Sequence, residues 1–306
     1  MQRLKIIFMG TPEFAVPSLE ILLRNNINVV AVVTAPDKPQ GRGQKIVPSP
    51  VKACAVAHNI PVLQPTNLKS PAFLEELRGY GADLQIVVAF RMLPEAVWSM
   101  PPLGTFNLHA SLLPHYRGAA PINWAIINGE RETGVTTFFL KHEIDTGSII
   151  FQEREPIHDD DDAGTLYSRL MEKGARLVLK TVEAIQSGDY PNRPQEEDAP
   201  IKHAPKIFRE TCEIRWDQPA ETIRNFVRGL SPYPAAWTTI AGKVYKIFKT
   251  HIVDHRSEDE KPGTYITDNR NYLYFKTIDQ WLSIDEWQPE GKKRMAIRDF
   301  FLGNKL

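Results

Sequence analysis

The 306 residues carry 37 Lys+Arg against 37 Asp+Glu, a formal net charge of zero, and 42% of them are hydrophobic. That balance excludes a strongly basic nucleic-acid-coating chain and supplies enough apolar side chains for one large domain or two ordinary ones. There is no apolar run of about 18 residues and no signal-peptide pattern in the opening residues, and Cys54 and Cys212 alone make neither a disulfide framework nor a zinc knot, so a reduced, cytoplasmic setting without membrane contact is expected.

Residues 1–190 read as alternating strands and helices, the pattern of an α/β fold with a largely parallel sheet. Apolar, β-branched runs predict strands at 5–9, 28–34, 84–90, 105–109, 135–140 and 148–152. Helices are expected at 13–24, 49–59, 71–79, 121–128 and 165–187. Between the second strand and second helix, 34–48 reads as a long polar loop without regular structure, carrying Lys38, Arg42 and Lys45 against Asp37. Asp159, Asp160, Asp161 and Asp162 precede the longest helix. Alternate aspartates face apart, so they read as charge opposing the helix N-terminal dipole rather than as a cation site.

Residues 191–206, rich in Pro, Asp, Glu and Asn, read as a linker. After it, 207–216 reads as extended and 220–229 as an amphipathic helix. Short strands are expected at 236–240, 244–248, 263–267, 272–277 and 281–287, together a small β-barrel of the oligonucleotide-binding (OB) type. Lys243, Lys246 and Lys249 alternate with apolar residues; a half-buried strand with a wet face and a phosphate-facing strand account for them equally well. Lys292-Lys293-Arg294 adds a short positive cluster. His251 and His255 stand four apart without convincing further ligands, so no zinc is expected.

The chemistry concentrates at Asn107 and His109. Two apart on an extended segment, they leave the backbone on the same face. Asp145 opens an Asp-Thr-Gly turn and is available to orient the imidazole. No Ser or Cys nucleophile and no second metal ligand stands beside them. An imidazole moves protons cheaply near neutrality, an Asn amide can donate to a developing oxyanion, and a carboxylate can fix a ring tautomer. The set suits transfer of a small acyl group between two amines. Singly, each residue has a plainer reading: a strand-end Asn, a core His and a turn Asp. Gly10-Thr11-Pro12 after the first strand lacks the rest of a dinucleotide fingerprint, and no acidic residue is placed for a ribose.

Three stretches together resemble the signature of the folate-dependent formyltransferases: Asn107-Leu108-His109-Ala110-Ser111-Leu112-Leu113-Pro114, Tyr116-Arg117-Gly118-Ala119-Ala120-Pro121 and Asp145-Thr146-Gly147. The resemblance runs the length of the chain and includes the opening strand and turn at 5–17 and the basic loop at 35–45. It implies a Rossmann-like formyltransferase domain over 1–190, a linker over 191–206 and a C-terminal OB-like β-barrel over 207–306 that helps hold tRNA. It implies catalytic roles for Asn107, His109 and Asp145, and folate binding by Ser111, Leu112, Leu113 and Pro114 together with the segment carrying Phe90, Arg91 and Leu93. Relatives more often have Tyr-Gly where Phe90-Arg91 stands; Phe90 keeps an aromatic surface, while Arg91 adds bulk and charge. Arg42, with Lys38 and Lys45, is the implied contact to RNA.

The implied reaction moves a formyl group from 10-formyltetrahydrofolate to the α-amino group of methionine on initiator tRNA, without a metal, in a cytoplasmic monomer. The alternatives are formylation of an amino sugar nucleotide or of glycinamide ribonucleotide, and an RNA-binding protein with a silent site. The expected barrel and the Arg42 loop favour the RNA substrate, and the intact Asn–His–Asp set argues against a silent site.

Overall fold

The computed structural model of the protein describes residues 3–40, 45–196, 200–255 and 260–306. In chain order the elements are β1 (Ile6–Gly10), α1 (Val16–Arg24), β2 (Val29–Val33), β3 (Lys38–Gln40), β4 (Lys45–Val47), α2 (Pro50–Ala57), β5 (Val62–Leu63), α3 (Pro71–Gly79), β6 (Leu84–Val88), α4 (Glu95–Trp98) and β7 (Thr105–His109). They continue with β8 (Arg117–Gly118), α5 (Pro121–Ile127), β9 (Glu132–Phe139), β10 (Ile149–Pro156), α6 (Ala163–Ser187), β11 (His203–Ala204) and α7 (Ala220–Leu230). The last are β12 (Ala236–Ile240), β13 (Lys243–Val253), β14 (Tyr265–Thr267), β15 (Leu273–Lys276), β16 (Trp281–Pro289), β17 (Met295–Ala296) and α8 (Ile297–Phe301).

The chain divides into two compact units. One gathers Met1–Arg117, Gly134–Glu155 and Tyr167–Lys202; the other gathers Gly118–Thr133, Pro156–Leu166 and His203–Leu306. The first is built on a seven-stranded sheet of order β10-β9-β7-β6-β1-β2-β5. β1 pairs in parallel with β2 and β6, β6 with β7, and β2 with β5, whereas β9 runs antiparallel to β7. Every residue of β1 and of β6 is buried, as expected of parallel strands covered on both faces. Ile7, Met9, Ala31, Val33, Leu77, Val87 and Val97 form one apolar layer. Full burial of side chains such as Ile7 and Met9 contributes about 1.5–3 kcal/mol each. A proline opens α2 and α3, where its missing N–H costs nothing, and the Ser49 hydroxyl caps α2 by accepting from Lys52 N at 3.0 Å.

The expectation of an unstructured 34–48 loop is corrected: Lys38–Gln40 and Lys45–Val47 pair antiparallel, Lys38 opposite Val47 and Gln40 opposite Lys45. Arms of three residues, Lys-Pro-Gln and Lys-Ile-Val, are too short to carry a period that a sequence window can register. β5, only two residues long, escaped notice for the same reason. Residues 207–216 are not simply extended either, because Arg209–Cys212 forms a 3-10 turn. There the Thr211 hydroxyl donates to Phe208 O at 2.8 Å, local side-chain bonding that competes with strand formation.

The second unit carries an antiparallel half-barrel of order β12-β13-β16-β15-β14, with β17 added to β16. Ile223, Val227 and Leu230 of α7 belong to the same core as Ile247, Ile284 and Trp287 of the sheet. Trp287 stacks on Tyr245 at 4.5 Å and meets Phe300 edge-on at 4.7 Å. Before α6, Asp162 Oδ1 accepts from Thr165 N at 2.9 Å and Asp161 Oδ1 accepts from the Thr165 hydroxyl at 2.8 Å. These aspartates thus satisfy the start of the helix.

Candidate active site

β7 lies between β6 and β9, with Asn107 opposite Val87 and Phe138, and His109 opposite Thr136. Alternation along the strand sends Leu108 to one face, where α6 packs so closely that a Cβ on Gly174 would stand 2.7 Å from Leu108 Cδ2. Asn107 and His109 leave on the other face, at the carboxyl end of the parallel strands, where open α/β sheets place their ligands. A 290 Å³ cavity lined by Arg3, Asn25, Asn28 and Gln186 lies at the opposite, N-terminal edge of β1 and takes no part in this site.

The His109 ring is 7% exposed, and its Nδ1 stands 3.9 Å from Asp145 Oδ2. His109 Nε2 donates to the carbonyl oxygen of Tyr116 at 2.8 Å. A carbonyl only accepts, so the proton of the neutral ring sits on Nε2 and the lone pair on Nδ1. The strand and the Tyr116 carbonyl therefore select the tautomer that sequence reasoning had left to Asp145. The carboxylate faces the open nitrogen beyond hydrogen-bond reach, at a separation that becomes an ion pair once the ring takes a proton. Asp145 itself has φ +56°, a conformation that Asp tolerates better than most residues.

The Asp145-Thr146-Gly147 turn is pressed against the end of β9: a Cβ on Gly147 would fall 1.5 Å from Phe139 O. Gln195, fifty residues further along the chain, donates its amide to Asp145 O at 2.7 Å and to Gly147 O at 2.9 Å. Sequence reasoning assigned Gln195 to a linker, and nothing in its neighbourhood signals this role.

The 111–114 segment is held by its backbone. Thr136 Oγ1 donates to Ser111 O at 2.6 Å, and Gln152 Nε2 donates to Leu113 O at 2.9 Å. The Ser111 hydroxyl donates to His115 O at 2.7 Å, Leu113 is buried, and Leu112 packs on Gly134. The Leu113–Pro114 peptide is cis. Ser111 and Leu113 thus point into the protein, whereas Leu112 and Pro114 are half-buried.

Leu93 is buried in the apolar layer and Phe90 packs half-buried against it. Arg91 is exposed; its guanidinium donates to Thr66 O at 3.0 Å and to Pro65 O, and lies 5.7 Å from the Phe90 ring. The base of the β3–β4 hairpin is pinned by Lys52 Nζ, 2.5 Å from Asp37 Oδ2 and 2.8 Å from Gln64 Oε1. The Lys52 ammonium and the Gln64 amide hold the Asp37 carboxyl below the usual carboxylate range. Lys38 is exposed on the first arm; Arg42 and the side chain of Lys45 lie outside the described residues.

Comparison with known proteins accords with this arrangement. Residues 3–182 match the family model "Formyl transferase", and residues 206–305 match "Formyl transferase, C-terminal domain". The chain is 56% identical to the methionyl-tRNA formyltransferase of Parabacteroides distasonis and 52% identical to that of Bacteroides fragilis, each over 99% of this chain and 96% of the relative. The fold is similar to that of an N-formyltransferase from Helicobacter canadensis solved with folinic acid and dTDP-3-aminofucose, with a TM-score of 0.68, 23% identity, and coverage of 92% of this chain and 98% of that one. The chain belongs to the formyl transferase family, and within it to the methionyl-tRNA formyltransferases.

Proposed function

We propose that the protein transfers the formyl group of 10-formyltetrahydrofolate to the α-amino group of methionine on initiator tRNA, yielding formylmethionyl-tRNA for translation initiation. The observation that supports this reading is the approach of the Asp145 carboxylate to the open Nδ1 of His109, at 3.9 Å, on the strand face that Asn107 shares. The methionine nitrogen attacks the formyl carbon, a C–N bond forms, and the carbonyl oxygen takes up negative charge. Asn107 donates its amide to that oxygen. His109 Nδ1 accepts the proton from the attacking nitrogen, Asp145 stabilises the imidazolium, and the same proton passes to the departing folate nitrogen as its C–N bond breaks. Hydrogen bonding and proton transfer suffice, so the scheme needs no metal.

A reduced folate needs an apolar wall for its flat ring and peptide groups for its polar edge. Phe90 and Leu93 fit the first need, and the 111–114 segment, its shape fixed by Thr136 and Gln152, is proposed to meet the second. In this reading residues 1–190 catalyse, 191–206 link, and 207–306 help hold tRNA, with Arg42, Lys38 and Lys45 meeting the acceptor end. RNA ends are commonly held by phosphate contacts and guanidinium stacking. Each chain carries the whole Asn–His–Asp set, so the proposed working unit is a monomer. Its tRNA substrate puts the reaction in the cytoplasm. The test offers formyl-labelled 10-formyltetrahydrofolate with Met-tRNA, free methionine and small amines including amino sugar nucleotides. Label on Met-tRNA alone is expected; label on a small amine, or none at all, refutes the reading.

A further inference from the structure

The turn that carries Asp145 is held by a side chain outside the motif. Both amide hydrogens of Gln195 are spent on this turn, one on Asp145 O at 2.7 Å and one on Gly147 O at 2.9 Å. Its Oε1 in turn accepts from Arg117, at 3.2 Å from Nε and 2.7 Å from Nη2. The amide thus bridges the Asp-Thr-Gly turn and the arginine of the Tyr-Arg-Gly stretch. Arg117 directly follows Tyr116, whose carbonyl holds His109 Nε2. The Tyr116 carbonyl, which holds the ring, and the Asp145 carboxylate, which faces its other nitrogen at 3.9 Å, therefore both sit on backbone adjoining contacts of one glutamine.

The turn needs such a tie. Asp145 occupies the left-handed region at φ +56°, which costs a non-glycine residue on the order of 1 kcal/mol. Its neighbour Thr146 bonds within the turn, Oγ1 donating to Glu143 O at 3.1 Å. The carboxylate stands 3.9 Å from the ring, and a displacement of the turn changes that distance directly.

We propose that Gln195 is a positioning residue for formyl transfer, acting through the backbone of Asp145 and Gly147 to keep the Asp145 carboxylate against His109. The inference rests on the proposed reaction and adds to it a residue from the segment between the two matched domains. Gln195 does not touch the reacting atoms in this scheme, because all its polar atoms are committed.

The test measures kcat, and KM for both substrates, in the full chain for wild type, Gln195→Ala, Gln195→Glu, Asp145→Ala and the Gln195→Ala/Asp145→Ala double variant. Gln195→Glu keeps the size and the acceptor for Arg117 but has no hydrogen to donate to the two carbonyls. Both single Gln195 variants are expected to lose about 10- to 100-fold in kcat, the scale of a small misplacement of a catalytic group. Both KM values should stay within about twofold, and in the Asp145→Ala background the same substitution should cost less than about threefold, because the two residues act as one unit. A wild-type kcat in Gln195→Glu, a raised KM with kcat unchanged, or an undiminished loss in the Asp145→Ala background overturns the proposal. Should Gln195→Ala lose its melting transition, Gln195→Glu carries the test, with the Gln195→Glu/Asp145→Ala pair completing the cycle. A wild-type protein that moves no formyl group to Met-tRNA refutes the reaction itself, an outcome distinct from an active wild type with indifferent Gln195 variants.

Discussion

His109 Nε2 and the carbonyl oxygen of Tyr116 are 2.8 Å apart, and this one hydrogen bond decides which nitrogen of the neutral ring carries the proton. The neutral ring is held as the Nε2–H tautomer, with Nδ1 open towards Asp145. In 15N NMR of labelled histidine, the neutral His109 ring should show a protonated Nε2 and a bare Nδ1. The reverse pattern would remove Nδ1 as the base.

Asn107→Ala and His109→Ala should each keep the melting temperature within a few degrees, since both side chains face the site rather than the α6 packing layer. Loss of the oxyanion donor should lower kcat by about 100- to 1,000-fold. Loss of the imidazole should cost at least about 100-fold. Near-normal turnover in both variants, measured by formyl transfer to Met-tRNA, would refute the site.

Gly147→Ala places a methyl group where Phe139 O already stands, 1.5 Å from the ideal Cβ. The turn must move away from β9, carrying Asp145 with it. The expected outcome is a destabilisation of about 1–3 kcal/mol by urea denaturation and a fall in kcat larger than any change in KM. Wild-type kcat in a stably folded variant would show that the placement of this turn is immaterial.

Glu155 is buried, with Arg169 Nε at 2.7 Å and Lys173 Nζ at 3.1 Å. Burial alone raises its carboxyl pKa, but the two cations outweigh it and hold the group below the usual range. A carboxyl whose folded value lies below its unfolded value of about 4.3 stabilises the fold above that pH. The contribution is lost as the pH falls through the depressed folded value. Glu155→Gln should therefore lower stability by about 1–3 kcal/mol at neutral pH, and the gap to wild type should close below about pH 4. A gap that persists unchanged into acid would mean that the charge on Glu155 contributes nothing.

Arg42→Ala should raise KM for charged tRNA several-fold and leave folate binding nearly intact. In sequence Arg42 falls between the two paired arms, the first of which is anchored at its start by Lys52, Asp37 and Gln64. Unchanged tRNA kinetics would take Arg42 out of the interface.

The sheet was readable wherever burial is two-sided. The near-continuous apolar run at 5–9 appears in the structure as Ile6–Gly10, and the alternating Thr-Phe-Asn-Leu-His stretch appears as the expected Thr105–His109. The arms Lys38–Gln40 and Lys45–Val47 were not readable, because three residues are too few to show a strand period and become a strand only through pairing. Arg91 could be read as charge added beside a ligand; its actual partners, the carbonyls of Pro65 and Thr66, lie some 25 residues upstream.

From the chain of letters alone came the alternation of strand and helix, the common face of Asn107 and His109, and the acidic turn that would serve them. All of these depend on spacings of a few residues, which backbone geometry converts directly into direction. Folding in three dimensions decided the rest: the tautomer of His109, the anchoring of the 111–114 backbone by Thr136 and Gln152, and the grip of Gln195 on a turn fifty residues away. Hydrogen bonds between distant segments leave no periodic trace in a sequence, because any residue with a donor in the right place satisfies them.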